Sequence, residues 1–210
     1  SKILDIAQAD WSFIAETTEK FEEIEWGEIS NPAAGIEIAM NTARSPIDKN
    51  EVRKAMMLAW NPLIADPLQG DATETKDYPL VTLGLPLLNP DWQLPVTDFQ
   101  NRFNDPTQAN AVLASAAEIP LEGLTLKVGE YGPEYIEMAN HMAERLTSAG
   151  IQTVVERIST RNFGDDVWGH GNYDISVGPP PPVSSTTGYL FAIHHSDGPW
   201  NTTGDSNPEI

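Results

Sequence analysis

Residues 123–178, GLTLKVGEYGPEYIEMANHMAERLTSAGIQTVVERISTRNFGDDVWGHGNYDISVG, constrain the chain most. They read as strand, helix, strand, short helix, strand. Leu124 to Gly129 alternates apolar and polar residues, as a strand does. Pro133 suits the first turn of a helix, where its missing N–H costs nothing. Ile136, Ala139, Ala143 and Leu146, with Tyr135 and Met142 beside them, form one apolar stripe at helical spacing. Gly150 fits the left-handed residue that stops the helix. Ile151 to Ile158 is rich in β-branched residues, and Tyr173 to Val177 is a third strand. A strand, crossover helix and parallel strand build a right-handed unit around a sheet. Ligands of such sheets sit beyond the carboxyl ends of the strands. Here those ends are Glu130-Tyr131, Ser159 to Arg161, and Gly178 onward.

The flanking segments extend the same α/β pattern. Lys2 to Ala7 reads as a short strand, and Asp10 caps a helix from Trp11 to about Phe21. Gly35 to Asn41 alternates as a strand. Thr42 to Pro46 is a loop. Asp48 and Glu51 have the spacing of a capping box before a helix bearing Val52, Ala55, Met56 and Ala59. Residues 70–106 form an irregular excursion punctuated by Pro79, Pro86, Pro90, Pro95 and Pro106, with Trp92, Leu94 and Phe99 to pack it. Asp105-Pro106 then caps a helix holding Ala109, Val112, Leu113 and Ala116. Pro179 to Pro182 make a stiff extended segment. Asn207-Pro208-Glu209 has the form of a helix start, so the chain reads as truncated there.

Charge and composition narrow the function. Thirty-one acids against 12 bases give a formal charge of −19. That surface repels phosphate backbones and argues against nucleic acid as a partner. The chain has no cysteine, which removes disulfide and thiolate chemistry. His194-His195 lacks the accompanying ligands of a metal motif, so no metal or cofactor is expected. Ser, His and Asp are present without a GxSxG elbow or a phosphate-binding glycine loop. An enzyme needs converging titratable groups at the strand ends, and these ends carry Asn, Tyr, Arg and prolines instead.

Five segments in register resemble the extracellular solute-binding proteins of family 5, the dipeptide- and oligopeptide-binding components of bacterial ABC transporters. They are NTARSPIDKNEVRKAMMLAWN (41–61), NDPTQANAVLASA (104–116), YIEMANHMAERLTSAGIQTVVERIS (135–159), NYDISVG (172–178) and HSDGPWNTTGDSNPEI (195–210). The resemblance implies a non-catalytic α/β chain: a single lobe of a type 2 periplasmic-binding-protein fold, a mixed β-sheet flanked by helices. Residues 1–210 would be lobe two of a two-lobed protein. It would act in the periplasm or outside the cell, with the other lobe and an ABC permease as partners and a small solute, by default a peptide, as ligand. Peptide-binding members carry an Asp after the strand that NYDISVG resembles, and it pairs the peptide amine. Here no acid stands between Asp174 and Asp197, which keeps sugars and metal complexes open as solutes. A protein-interaction module using Pro179 to Pro182 as a polyproline ligand is the other reading, and it requires that run to be exposed.

The candidate ligand contacts follow the loops. Asn41 presents an amide or closes a turn. Tyr131 stacks on a ligand, with Glu130 beside it, or packs at the surface. Arg161 holds a carboxylate through its fork or makes a surface ion pair. Ser184, Ser185 and Tyr189 lie on the loop that replaces the acidic anchor, where a proline scaffold preorganises polar groups. Trp200 and Asn201 resemble family positions near the cleft.

Overall fold

The computed structural model describes residues 20–21, 36–60, 102–115, 123–181 and 186–204. The chain divides into two compact units, Ser1–Pro32 and Ala33–Ile210, and every element below belongs to the second. The expected strand at 2–7, the helix from 11, and most of the 70–106 excursion lie outside the described residues.

The elements run β1 (Glu37–Met40), α1 (Asn50–Ala59), α2 (Pro106–Ser115), β2 (Leu124–Gly129), α3 (Pro133–Ser148), β3 (Thr153–Ile158), α4 (Thr160–Phe163), a π-helical turn (Gly164–Gly169), β4 (Ile175–Gly178) and α5 (Thr186–His194). The strands form one sheet in the order β1-β4-β2-β3. β2 is parallel to both β3 and β4, while β1 is antiparallel to β4. This is the mixed sheet flanked by helices expected from the sequence.

One face of the sheet carries the main core. Ile38, Met40, Leu126, Val128, Ile175 and Val177 point to α1, α2 and α3, which answer with Val52, Met56, Ala109, Met138, Met142 and Leu146. Each fully buried aliphatic side chain here contributes about 1.5–3 kcal/mol. The α3 stripe is close to the predicted one, with Met138 buried and Ile136 and Tyr135 only half-buried. Pro133 stands in its first turn. Its end is a Schellman motif: Gly150 has φ +90° and donates to Thr147, and Ile151 donates to Leu146.

Asp105 caps α2 as expected, its Oδ1 accepting from the Gln108 amide at 2.9 Å. The capping box at Asp48 and Glu51 does not form. Lys49 holds the cap position of α1 without a side-chain cap bond. The Asp48 carboxylate is turned instead onto the Lys49 ammonium at 2.9 Å. Arg53 bonds the carbonyls of Ile47 and Asp48, anchoring the loop before α1.

The opposite face of the sheet is smaller and mixed. Lys127 and Ser176 are buried there beside Ala39. The Lys127 ammonium meets Asp166 of the π-helical turn at 2.8 Å. That turn and α4 bring Phe163, Val167 and Trp168 against Tyr173 and Ile158. Pro181 is buried, and Pro179 and Pro180 are half-buried. The described part of the proline run is therefore not the exposed strip that a polyproline ligand needs.

Candidate ligand-binding site

The parallel strands β2, β3 and β4 all end at one rim, at Gly129, Ile158 and Gly178. β1 runs the other way, so its first residue, Glu37, pairs with Gly178 and joins that rim. The second face therefore presents a row across the four strands: Glu37, Gly178, Gly129, Ile158. Phe163 lies over the two glycines. A β-carbon on Gly178 would overlap its Cζ, and one on Gly129 would fall 3.0 Å from its Cδ2 and 2.5 Å from Tyr131 Cε2. Tyr131 meets Phe163 edge to face at 5.6 Å and tilts against Tyr135 at 5.7 Å; Trp168 meets Phe163 edge to face at 5.7 Å. Edge-to-face pairs use the positive ring edge against the negative ring face, which fixes their geometry.

Of the predicted contacts, Tyr131 and Arg161 are at this rim. Tyr131 is half-buried, its hydroxyl 3.4 Å from the Thr160 carbonyl. Burial raises its phenol above the ordinary range. Arg161 is exposed in α4 and makes no ion pair among the described residues. Ser184 and Ser185 lie outside the described residues.

Asn41 is at the far end of the sheet, beside Asp174, because β1 is antiparallel. It is buried. Its Nδ2 donates to the Gly171 carbonyl at 2.9 Å, and its Oδ1 accepts from the Ala43 amide at 3.1 Å. Asn201 belongs to a segment at the same end: Thr42 donates to the Thr203 carbonyl, and the Tyr173 hydroxyl meets Thr202. The Asn201 amide donates to the His195 carbonyl at 3.0 Å and its Oδ1 accepts from Thr203 Oγ1. Trp200 packs on Tyr189, Ala192 and Ile193 of α5.

Tyr189 is buried rather than presented to a ligand, and its hydroxyl donates to the Glu37 carboxylate. Burial raises the Glu37 pKa above the usual carboxylate value, the Tyr189 hydrogen bond offsetting part of it. Burial, then the Glu37 charge, drives the Tyr189 phenol far up. Glu37 is the rim residue that reading the sequence missed. Only its register against Gly178 identifies it, and register across sequence-distant strands leaves no local mark. Among the described residues, no group of three or more His, Asp or Glu is placed to hold a metal ion. No helix among them is long and apolar enough to cross a membrane.

The chain is similar over nearly all of its length to solved binding proteins. A putative peptide-binding protein, AppA, from Clostridium difficile shares 17% identity and superposes with a TM-score of 0.69, covering 93% of this chain and 40% of that one. The periplasmic oligopeptide-binding protein of an oligopeptide ABC transporter from Thermotoga maritima, solved with mannohexaose, shares 22% identity at a TM-score of 0.66, covering 93% and 41%. Haemophilus influenzae OppA, in complex with RPPGFSPFR, shares 19% at 0.65, covering 94% and 39%. These likenesses establish the fold. The chain spans about two fifths of the length of each of these structures. No curated protein sequence matches it. Residues 2–200 match the family model described as bacterial extracellular solute-binding proteins, family 5 Middle, and the chain belongs to that family.

Proposed function

We propose that this chain is one ligand-binding lobe of a solute-binding protein, and that the whole protein captures a peptide or related solute for import by an ABC permease. The observation that carries the reading is the rim itself. Three parallel strand ends converge there on an aromatic cluster, Phe163 and Tyr131 over Gly129 and Gly178, with the exposed Arg161 in the helix that follows β3. This is where ligands of open α/β sheets sit. The protein works by holding the solute between two lobes that close about a hinge, outside the cytoplasmic membrane and without covalent chemistry. One lobe alone offers half of that cleft, so its own affinity is weak.

The mannohexaose bound by the Thermotoga maritima relative supports a second solute class, because half-buried Tyr131 and Tyr135 rings would also stack on sugar faces. The test is mass spectrometry of whatever co-purifies with the full-length natural protein after native purification and denaturation. Short peptides are the expected result. A saccharide or a metal complex would keep the transport role and discard the peptide assignment. Recovery of no solute, with none bound from a mixed peptide and sugar pool, would overturn the reading.

A further inference from the structure

We propose that Glu37 and Tyr189 form a proton-dependent latch: α5 is fastened to β1 while Glu37 holds its proton, and it opens from the sheet, ahead of the sheet itself, once Glu37 ionises. The device does not depend on which solute the rim takes.

α5 has an anchorage of its own. Tyr189, Ala192 and Ile193 are buried with Trp200 packed against them, in a small cluster separate from the main core and from the Phe163 cluster. Satellite clusters of this size open before a main core does. The helix is 9 residues long, too short to hold by itself in water. Its outer side adds little, with Phe191 exposed and stacked on the His195 ring. Through Tyr189 the cluster reaches the sheet, where the hydroxyl donates to Glu37 of β1.

Glu37 is the weak point of that link. Its carboxylate is withdrawn from water, and no Lys or Arg pairs with it among the described residues. From α5 it meets the Tyr189 hydroxyl, with the His194 ring edge to face on Tyr189 at 5.8 Å. From β4 its partner is Gly178, which has no side chain, and the Tyr173 phenol just before that strand feels its charge. Burial raises the Glu37 pKa above the ordinary 4.5, and the Tyr189 bond, which lowers it, is the smaller effect. The closed form therefore resists ionisation, and opening returns the carboxylate to water. Closure has its full stability below pH 4.5 and loses it as pH rises through the raised value. Tyr189 stays protonated throughout, because burial and the Glu37 charge push its phenol far up.

The latch sits on the rim, since Glu37 pairs with Gly178, whose backbone Phe163 covers. Opening sets a solvated negative charge there in neutral water that is absent in mild acid.

Native-state hydrogen exchange on the full-length natural protein in dilute urea tests this. The amides of 190–194 are expected to be less protected than those of 124–128 in β2. Their protection should also depend less on urea, because a local opening exposes less surface. Corrected for intrinsic rates, it is expected to fall at least about 10-fold between pH 4.5 and about pH 8. Glu37→Gln keeps an acceptor for Tyr189 and cannot ionise, so its fall is expected to stay under about 3-fold. Tyr189→Phe is expected to steepen the fall, because the ionised carboxylate then has no donor. Circular dichroism verifies folding, and Glu37→Gln decides the matter by itself if Tyr189→Phe does not fold. α5 amides that share the protection and urea dependence of β2 would overturn the proposal. So would an undiminished fall in Glu37→Gln, which would assign the titration to His194 or another group.

Discussion

Phe163 rests against the backbone of Gly178, on the strand end where the sheet presents its rim. The glycine leaves the room that the ring fills. Gly178→Ala is therefore expected to destabilise the protein by about 1–3 kcal/mol, although alanine is the better strand residue. Urea denaturation measures it. Phe163→Leu combined with Gly178→Ala is expected to cost less than the two single changes summed, and strict additivity would argue that the ring and the glycine are not coupled.

The Lys127–Asp166 pair fastens the π-helical turn to the sheet. The Lys127 side chain is 8% exposed, against 35% for Asp166. Removing the acid strands a buried ammonium, so Asp166→Ala is expected to cost about 3–5 kcal/mol. Lys127→Met in the same background is expected to recover most of the loss, because an apolar side chain fills the space without an uncompensated charge. A denaturant midpoint that stays low in the double variant would contradict this.

Stability is expected to fall in alkali through Tyr173. Burial pushes its phenol from 10.0 up to about 12; the Thr202 hydrogen bond offsets part of this, and the Glu37 charge adds to it. Between those values the unfolded chain has released the proton and the folded protein still holds it. Folding then binds a proton, so stability drops as pH rises through that window, by up to about 1.4 kcal/mol per pH unit. Below pH 10 this group contributes no slope. Tyr173→Phe should flatten the urea-midpoint profile above pH 10; an unchanged slope would count against the assignment. Glu37 acts in the same sense at lower pH: its raised pKa favours the fold when protonated, and its contribution declines as pH rises past 4.5.

Asn41 braces the end of the sheet remote from the rim, joining Gly171 to Ala43. Asn41→Ala is expected to cost about 1–3 kcal/mol of stability, through the Gly171 carbonyl and Ala43 amide left without partners. Ligand affinity of the folded variant should be unchanged. A large loss of affinity at intact stability would restore Asn41 as a ligand contact.

How far the sequence could be read depended on the range of the interactions. Local chemistry was legible. Pro133, Gly150 and the α3 stripe set a helix and its stop, and Asp105 capped α2, because those bonds span three to five residues. Rules that depend on one neighbour failed where another side chain competed, as when Asp48 turned to Lys49 instead of the helix end. Long-range geometry was not legible. The antiparallel direction of β1 moved Asn41 away from the rim and brought Glu37 to it. Tyr189 is buried with Ala192, Ile193 and Trp200 and bonds Glu37 of β1, and nothing near position 189 announces that partner 152 residues away.

Hydrogen exchange on the full-length natural protein, with and without its recovered solute, tests the central claim most directly. Slowed exchange is expected at 129–131, 160–163 and the Gly178 amide, where the parallel strands end, and no change at 41–44, 171–174 and 201–203 at the far end of the sheet. Protection confined to the far end would contradict it and place the ligand elsewhere.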